Sequence, residues 1–404
     1  MTAAPFVRDS FTWLAYLMLA YYAYLQAALG PLMPFLGAEL NLNYTVRGYH
    51  LSGFAVGMIL AGLTADRAAR RFGRRAVFWG GGAGMGLGAL MLALGGAVPV
   101  TVAGAFVMGF IGTYLLVMVQ STLSAHHGER RAIALTESNV VAVLFAALAP
   151  VLVGQGEQLG IGWRAALLAV AALWLVMFGV GRNLPIPMGG GGETHDAQRA
   201  PLPRLFWAYA LVVFLSVSIE WSVIFWGAEY LERIVGLERT LASTLMSVFL
   251  GAMFVGRALG SGLARRFAPG RLLLGAIAVV IVGFPLFWLG QLPALNVIGL
   301  FIAGLGVANM FPLTLSVASG IAPAQADTLS ARISFSSGLA ILVMPQLLGS
   351  AADQIGLWNA FAIIGALLGA VFVVAWIANR AAQHSQGRSI SGQLSAVGAQ
   401  PDQK

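Results

Sequence analysis

Cysteine is absent from all 404 residues, and Lys404 is the only lysine. The first absence excludes disulfides, thiolate metal sites and cysteine nucleophiles. The second excludes Schiff-base chemistry within the folded chain. Charge of either sign is scarce at 9%, whereas a soluble domain carries roughly 25%. With 59% hydrophobic residues and a mean hydropathy of +0.83, the chain has more apolar surface than a water-soluble core can hide, which makes it an integral membrane protein. No clustered His/Asp set, nucleophile context or phosphate-binding loop appears, so an enzyme, an ATP-driven pump or a cofactor-binding protein has no support, and neither cofactor nor metal is expected. The net charge of +8 would suggest nucleic acid in a soluble protein; here the arginines lie in short loops, where they orient the chain and contact lipid headgroups.

What is present is a series of apolar runs of membrane-spanning length, the first at 11–37 and the last at 357–378, twelve in all. The first runs straight into this pattern without a signal-peptide cleavage region. One long internal linker, 183–203, carries Pro185, Pro187 and Gly189–Gly192 and divides the runs six and six. The expected organisation is an N-terminal six-helix bundle over 1–182, the linker, a C-terminal bundle over 204–380, and a polar, disordered tail over 381–404. The halves repeat: Arg70-Arg71-Phe72 falls on Arg265-Arg266-Phe267 at an offset of 195. Duplicated bundles with a site between them are a common plan of secondary transporters. Arg67, Arg70, Arg71, Arg74 and Arg75 crowd the 2–3 loop, Arg130 and Arg131 the 4–5 loop, and Arg265, Arg266 and Arg271 the 8–9 loop. The opposite connections are uncharged or mixed, so the positive-inside rule puts both termini in the cytoplasm.

Against this background Glu220 stands out, halfway along an otherwise uncharged run from Leu205 to Ala228. A carboxylate exposed to lipid at that depth costs about 2.5–3.5 kcal/mol, so it must face protein or a watery cavity. Burial opposes its charged form, which suits it to carrying a proton. Glu137, one to two turns inside helix 5, is the second proton-coupling candidate, with Arg130 and Arg131 as possible edge partners. Asn139 points away from Glu137 on a helix. Single amides at Gln26, Gln120, Asn309 and Gln346 either line a cavity or bond between helices. Tyr22 shares a face with Gln26 at i, i+4, and Trp221 offers a ring on which a solute could stack.

The stretch Gly62-Leu63-Thr64-Ala65-Asp66-Arg67, followed by Phe72-Gly73-Arg74-Arg75, resembles the loop 2–3 signature of the major facilitator superfamily, lengthened between its two parts. The resemblance implies an all-α fold of twelve transmembrane helices in two pseudo-symmetric six-helix bundles, with helices 1, 4, 7 and 10 around a central cavity. It also implies a cytoplasmic latch made of Gly62, Asp66, Arg67, Gly73 and Arg74 that joins the halves when the transporter is outward-open, with Arg257 or the Arg70-Arg71 pair as partner of Asp66. Glu220-Trp221 with Trp226 and Tyr230, Glu137-Ser138-Asn139, Gly162-Trp163-Arg164 and Asn309-Met310-Phe311-Pro312 resemble the fucose permease-like branch of sugar:proton symporters. Helix 1 lacks that branch's acidic residue, and helix 4 has Gln120 in place of its glutamate, so the proton site does not carry over. Helix 5 lacks the Gly-Pro-x-x-Gly-Gly pattern of antiporters, which favours import.

The expectation is a bacterial inner-membrane transporter, acting as a monomer on a small organic solute by proton-coupled symport. The alternative within the fold is a proton-coupled drug or metabolite exporter. A non-transporting receptor and a polytopic membrane enzyme are the readings from other classes.

Overall fold

The computed structural model describes residues 6–187, 203–321 and 326–397. Twelve long helices follow one another: α1 (Ser10–Glu39), α2 (Tyr44–Phe72), α3 (Arg74–Leu94), α4 (Val98–His127), α5 (Arg131–Gln158), α6 (Trp163–Gly181), α7 (Arg204–Arg233), α8 (Arg239–Leu263), α9 (Pro269–Leu289), α10 (Pro293–Ile321), α11 (Ala326–Ile355) and α12 (Ala362–Val397). A single helical turn, Leu357–Ala360, leads into the last. Eleven are apolar enough to cross a bilayer. The exception is α1, whose tyrosines and Gln26 lower its hydropathy. It tolerates them because protein surrounds it: Tyr16, Tyr21, Tyr22 and Tyr24 are all buried, and Tyr21 and Tyr24 donate to the carbonyls of Gly82 and Ala166 at 3.1 and 3.2 Å. Most of the 183–203 linker, and residues 398–404, lie outside the described residues. The tail expected to be disordered from 381 continues α12 as helix to Val397, since no proline interrupts it and propagating a helix costs far less than starting one.

The two halves are built alike. α1 packs on α5 as α7 does on α11, α2 on α4 as α8 on α10, α3 on α4 as α9 on α10, and α3 on α6 as α9 on α12. The repeat extends to single contacts. A Cβ on Gly104 would sit 2.8 Å from the Gly88 carbonyl oxygen, and one on Gly299 would sit 2.7 Å from that of Gly283; adding 195 to the first pair gives the second. Phe54 with Gly109 and Phe249 with Gly304 obey the same rule, so the helices meet backbone to backbone at equivalent depths.

Between the halves, α2 meets α11, α5 meets α8, and α1 meets α7. The tight contacts gather at the face opposite the termini. There Arg47 of α2 and Glu229 of α7 form an ion pair, with side chains only 6% and 1% exposed. The guanidinium also donates to the Leu42 carbonyl at 3.0 Å and lies over the Tyr44 ring, while Glu229 accepts from Arg233 at 3.3 Å. Beside this pair, Asp353 in the last turn of α11 accepts the backbone N–H groups of Tyr44 and Thr45, at 2.9 and 2.8 Å, and the Thr45 hydroxyl. A carboxylate at a helix C-terminus is locally unfavourable; Asp353 instead serves the unsatisfied N-terminus of α2 in the other half. Ser243 on α8 donates to the Pro31 carbonyl of α1, and Trp226 is fully buried with its indole N–H on the Pro345 carbonyl.

This closure is testable because the chain carries no cysteine. In a single-cysteine variant, Ala27→Cys, a membrane-impermeant thiol reagent applied at the face opposite the termini should label slowly. Glu229→Gln strands Arg47 as a buried unpaired charge, at a cost of about 3–5 kcal/mol, and should speed labelling most. Asp353→Ala removes a cap of roughly 1 kcal/mol and should speed it less. Labelling unchanged in both variants would show that this end is held shut by something else.

Candidate functional site

Behind the closed end the halves part around a cavity of about 210 Å³. α1 contributes Tyr22 and Gln26 from one face, α5 Asn139, α7 Glu220 and Trp221, and α8 Arg257. Leu19, Leu116, Ile224, Leu250 and Met253 complete apolar walls. The cavity adjoins a second space of about 440 Å³ between α5 and α8, sharing Asn139, Val143 and Arg257 with it. That cleft reaches Leu135 and Ser261, close to the helix ends on the face that bears the termini. The site is therefore shut at one face and open toward the other.

Two of the cavity's polar side chains are hydrogen-bonded and three are not. Tyr22 pairs with the Thr113 hydroxyl at 3.1 Å, and Asn139 donates to its own helix at Leu135. Among the described residues, the side chains of Gln26, Glu220 and Arg257 make no hydrogen bond or ion pair. An amide, a carboxylate and a guanidinium thus face one small space with their hydrogen-bonding capacity free, and a charge left in that condition is costly unless water or a ligand meets it.

The other sequence candidates lie elsewhere. Glu137 turns away from the cavity and takes two hydrogen bonds from Arg8, at 2.6 and 2.8 Å, and one from Tyr16 at 3.0 Å. It ties the start of α1 to α5 through Arg8 and Tyr16, where the sequence suggests Arg130 and Arg131, because Arg8 at the start of α1 is placed to meet its carboxylate with two donors. Asn309 donates to the Gly256 carbonyl at 2.7 Å and fixes α10 on α8. Gln346 packs against Gly48 at the α2–α11 contact. Gln120 is exposed and does not line the cavity. At the loop between α2 and α3, Gly73 adopts φ +82, a conformation only glycine takes without strain, and turns the chain into α3. Gly62, Asp66 and Arg67 are exposed, and among the described residues Asp66 has no hydrogen-bonding or ionic partner. The latch contact is thus not made here, since the halves stand apart at this face; Arg257, one of its two candidate partners, lines the cavity instead. Sequence reasoning missed Arg47, Glu229 and Asp353. The one available signal was a charge just inside a helix end, which loop assignment absorbed.

The Major Facilitator Superfamily model matches residues 12–345 and 209–399. An uncharacterized MFS-type transporter of Yersinia pestis is 25% identical over 357 residues, covering 85% of this chain and 89% of that protein. Multidrug resistance protein MdtL of Escherichia coli is 27% identical over 220 residues, and the match spans about half of each chain, 53% and 54%. Among solved structures, a bacterial homolog of the human lysosomal transporter Spinster, in an inward-facing and occupied conformation, superposes with a TM-score of 0.77 at 14% identity, over 94% of this chain and 98% of that one, a likeness of fold. Duplicated bundles, a cavity between them closed at one end, and the family match agree: the chain belongs to the major facilitator superfamily of transporters.

Proposed function

We propose that this protein moves a small organic solute across a bacterial inner membrane by proton-coupled alternating access, with Glu220 as the coupling carboxyl. The observation that supports this most is the unpaired state of Glu220 beside Arg257 in a cavity between the halves. With the arginine-rich loops in the cytoplasm, both termini are cytoplasmic and the state described opens inward.

The coupling follows from electrostatics. An ionised carboxylate resists being sealed into an apolar cavity, so occlusion is favoured when Glu220 is neutral or when its charge is compensated. Proton uptake at the outer face, with solute, lets the cavity close; proton release at the inner face lets the empty protein reset. The outer gate is Arg47–Glu229 with Asp353 on α2. The inner gate is the Asp66, Arg67, Gly73 and Arg74 region, which re-forms its contacts when the halves swing together. Symport remains the leading direction. The apolar walls, together with a relative named for multidrug resistance, favour proton-coupled export as the second reading. The direction of proton flux on adding solute to loaded vesicles separates the two.

Glu220→Gln keeps the shape of the protonated side chain but cannot release a proton. In proteoliposomes it should abolish accumulation driven by a proton gradient while solute counterflow persists. Gradient-driven accumulation that survives in this variant would remove Glu220 from the coupling role.

Asp66→Ala should slow net transport while leaving equilibrium solute binding near the parent value, because a latch biases conformations and does not touch solute. Uptake at the parent rate would show that Asp66 does not act as a latch.

A further inference from the structure

We infer that the solute is an amphiphilic anion, an apolar body with one anionic end, and that it reaches the cavity sideways through the cleft between α5 and α8. The inference rests on the transporter reading above and names the substrate class of the same site. The cleft walls are mostly apolar, formed by Leu135, Val140, Val143, Phe254 and Ala258, with Thr136, Asn139 and Ser261 as neutral polar members. Arg257 is the one charged side chain lining it, and it stands where cleft and cavity join.

The position of Val140 places the mouth of the cleft. Val140, Leu144, Leu148 and Leu152 recur every four residues along α5 and are 42%, 47%, 45% and 42% exposed. Such a stripe on a membrane-spanning helix faces lipid. Val140 belongs both to that stripe and to the cleft wall, so the cleft opens toward the bilayer as well as toward the termini-bearing face. A solute dissolved in the leaflet therefore meets a mostly apolar passage that leads to a guanidinium.

Arg257 supplies the specificity. Arg257 is exposed to the cleft and within electrostatic reach of Glu220, yet among the described residues it makes no hydrogen bond or ion pair, so its donors are free for an anion that pairs with it by charge-assisted hydrogen bonds. Glu220, lining the cavity but not the cleft, stands beyond Arg257 and disfavours a second negative charge. The apolar body then lies against Trp221, Leu250 and Met253. A small hydrophilic anion gains only the charge contact, and an amphiphilic cation meets Arg257 first. Both are disfavoured.

The test uses the full chain in phosphatidylcholine nanodiscs, with binding read by tryptophan fluorescence and decanoate, decyltrimethylammonium and acetate as probes. Decanoate should bind saturably and at least about tenfold more tightly than either of the others. Arg257→Gln should erase the preference of decanoate over decyltrimethylammonium, and Arg257→Lys should keep part of it. Val140→Trp with Ala258→Trp, which fills the passage, should slow decanoate association several-fold while leaving the plateau affinity unchanged; Val140→Phe serves if the double variant does not fold. Replacing part of the phosphatidylcholine by phosphatidylglycerol distinguishes sources: weakened decanoate binding identifies an anionic bilayer lipid as an occupant, and unchanged binding a free amphiphile. No saturable decanoate binding, equal affinity for the two decyl probes, or an inert Arg257→Gln would overturn the substrate class. Plugged variants that associate at the parent rate would overturn the lateral route. None of these outcomes touches proton coupling, which is read independently in Glu220→Gln.

Discussion

Where the Arg47–Glu229 pair sits determines how the rest of this molecule can be used. A buried ion pair is a poor source of net stability, because desolvating two charges offsets most of their attraction. Its value lies in being intolerant of partial separation: once α2 and α7 move apart, each charge must find water or a new partner. A contact of that kind gives two well-separated states, paired and open, where a purely apolar seam would slide. Asp353 extends the same logic to the backbone, since the Tyr44 and Thr45 N–H groups of α2 reach it only while α11 is against them, Asn43 capping Val46 from within the same half. Closure of one face and exposure of the cavity to the other are consequences of this seam.

The rigid bodies on either side come from glycine. At Gly88/Gly104 and Gly283/Gly299, and at Gly109 and Gly304, helix backbones touch without intervening side chains. Within a bilayer the hydrophobic effect does not hold helices together, so close van der Waals contact has to do it. The same pattern at the same spacing in both halves yields two bundles that can rock as units. The interface between them is different in kind, relying on directional polar contacts at one end and on a cavity in the middle.

Much of the architecture was legible in the sequence. The twelve runs, the six-and-six division and the offset of 195 first seen at Arg70-Arg71-Phe72 all reappear, the last in backbone contacts invisible to any motif. Glu220 was legible because a charge inside an apolar run has so few places to go. What could not be read was pairing over long separations. Glu137 looked like Glu220 in the sequence, yet Arg8, 129 residues away, claims it. Asn309 and Gln346 looked like Gln26, yet the first bonds a neighbouring backbone and the second packs into a helix seam. A single chain reveals which groups need partners, not which partners reach them.

That distinction is what separates the site from the scaffold here. Polar side chains at membrane depth are expensive, and several in this protein are spent on holding helices: Tyr21, Tyr24, Trp226, Ser243 and Asn309 each donate to a backbone carbonyl of another helix. Gln26, Glu220 and Arg257 are not spent in this way, and they converge on one cavity. Scattered neutral groups such as the Trp79 and Trp174 indoles and the Ser222 hydroxyl also lack partners, but here an acid, a base and an amide do so around the same 210 Å³. Because one is acidic and one basic, the cavity can be neutral as a whole while offering a fixed positive end to a solute and a titratable negative end to a proton. If the solute is the anion proposed above, neutralising Glu220 unmasks Arg257 and so strengthens the hold on it, and binding the anion in turn favours neutral Glu220. On the proposed reading the two ligands assist each other through two side chains, which is the thermodynamic requirement for moving them together.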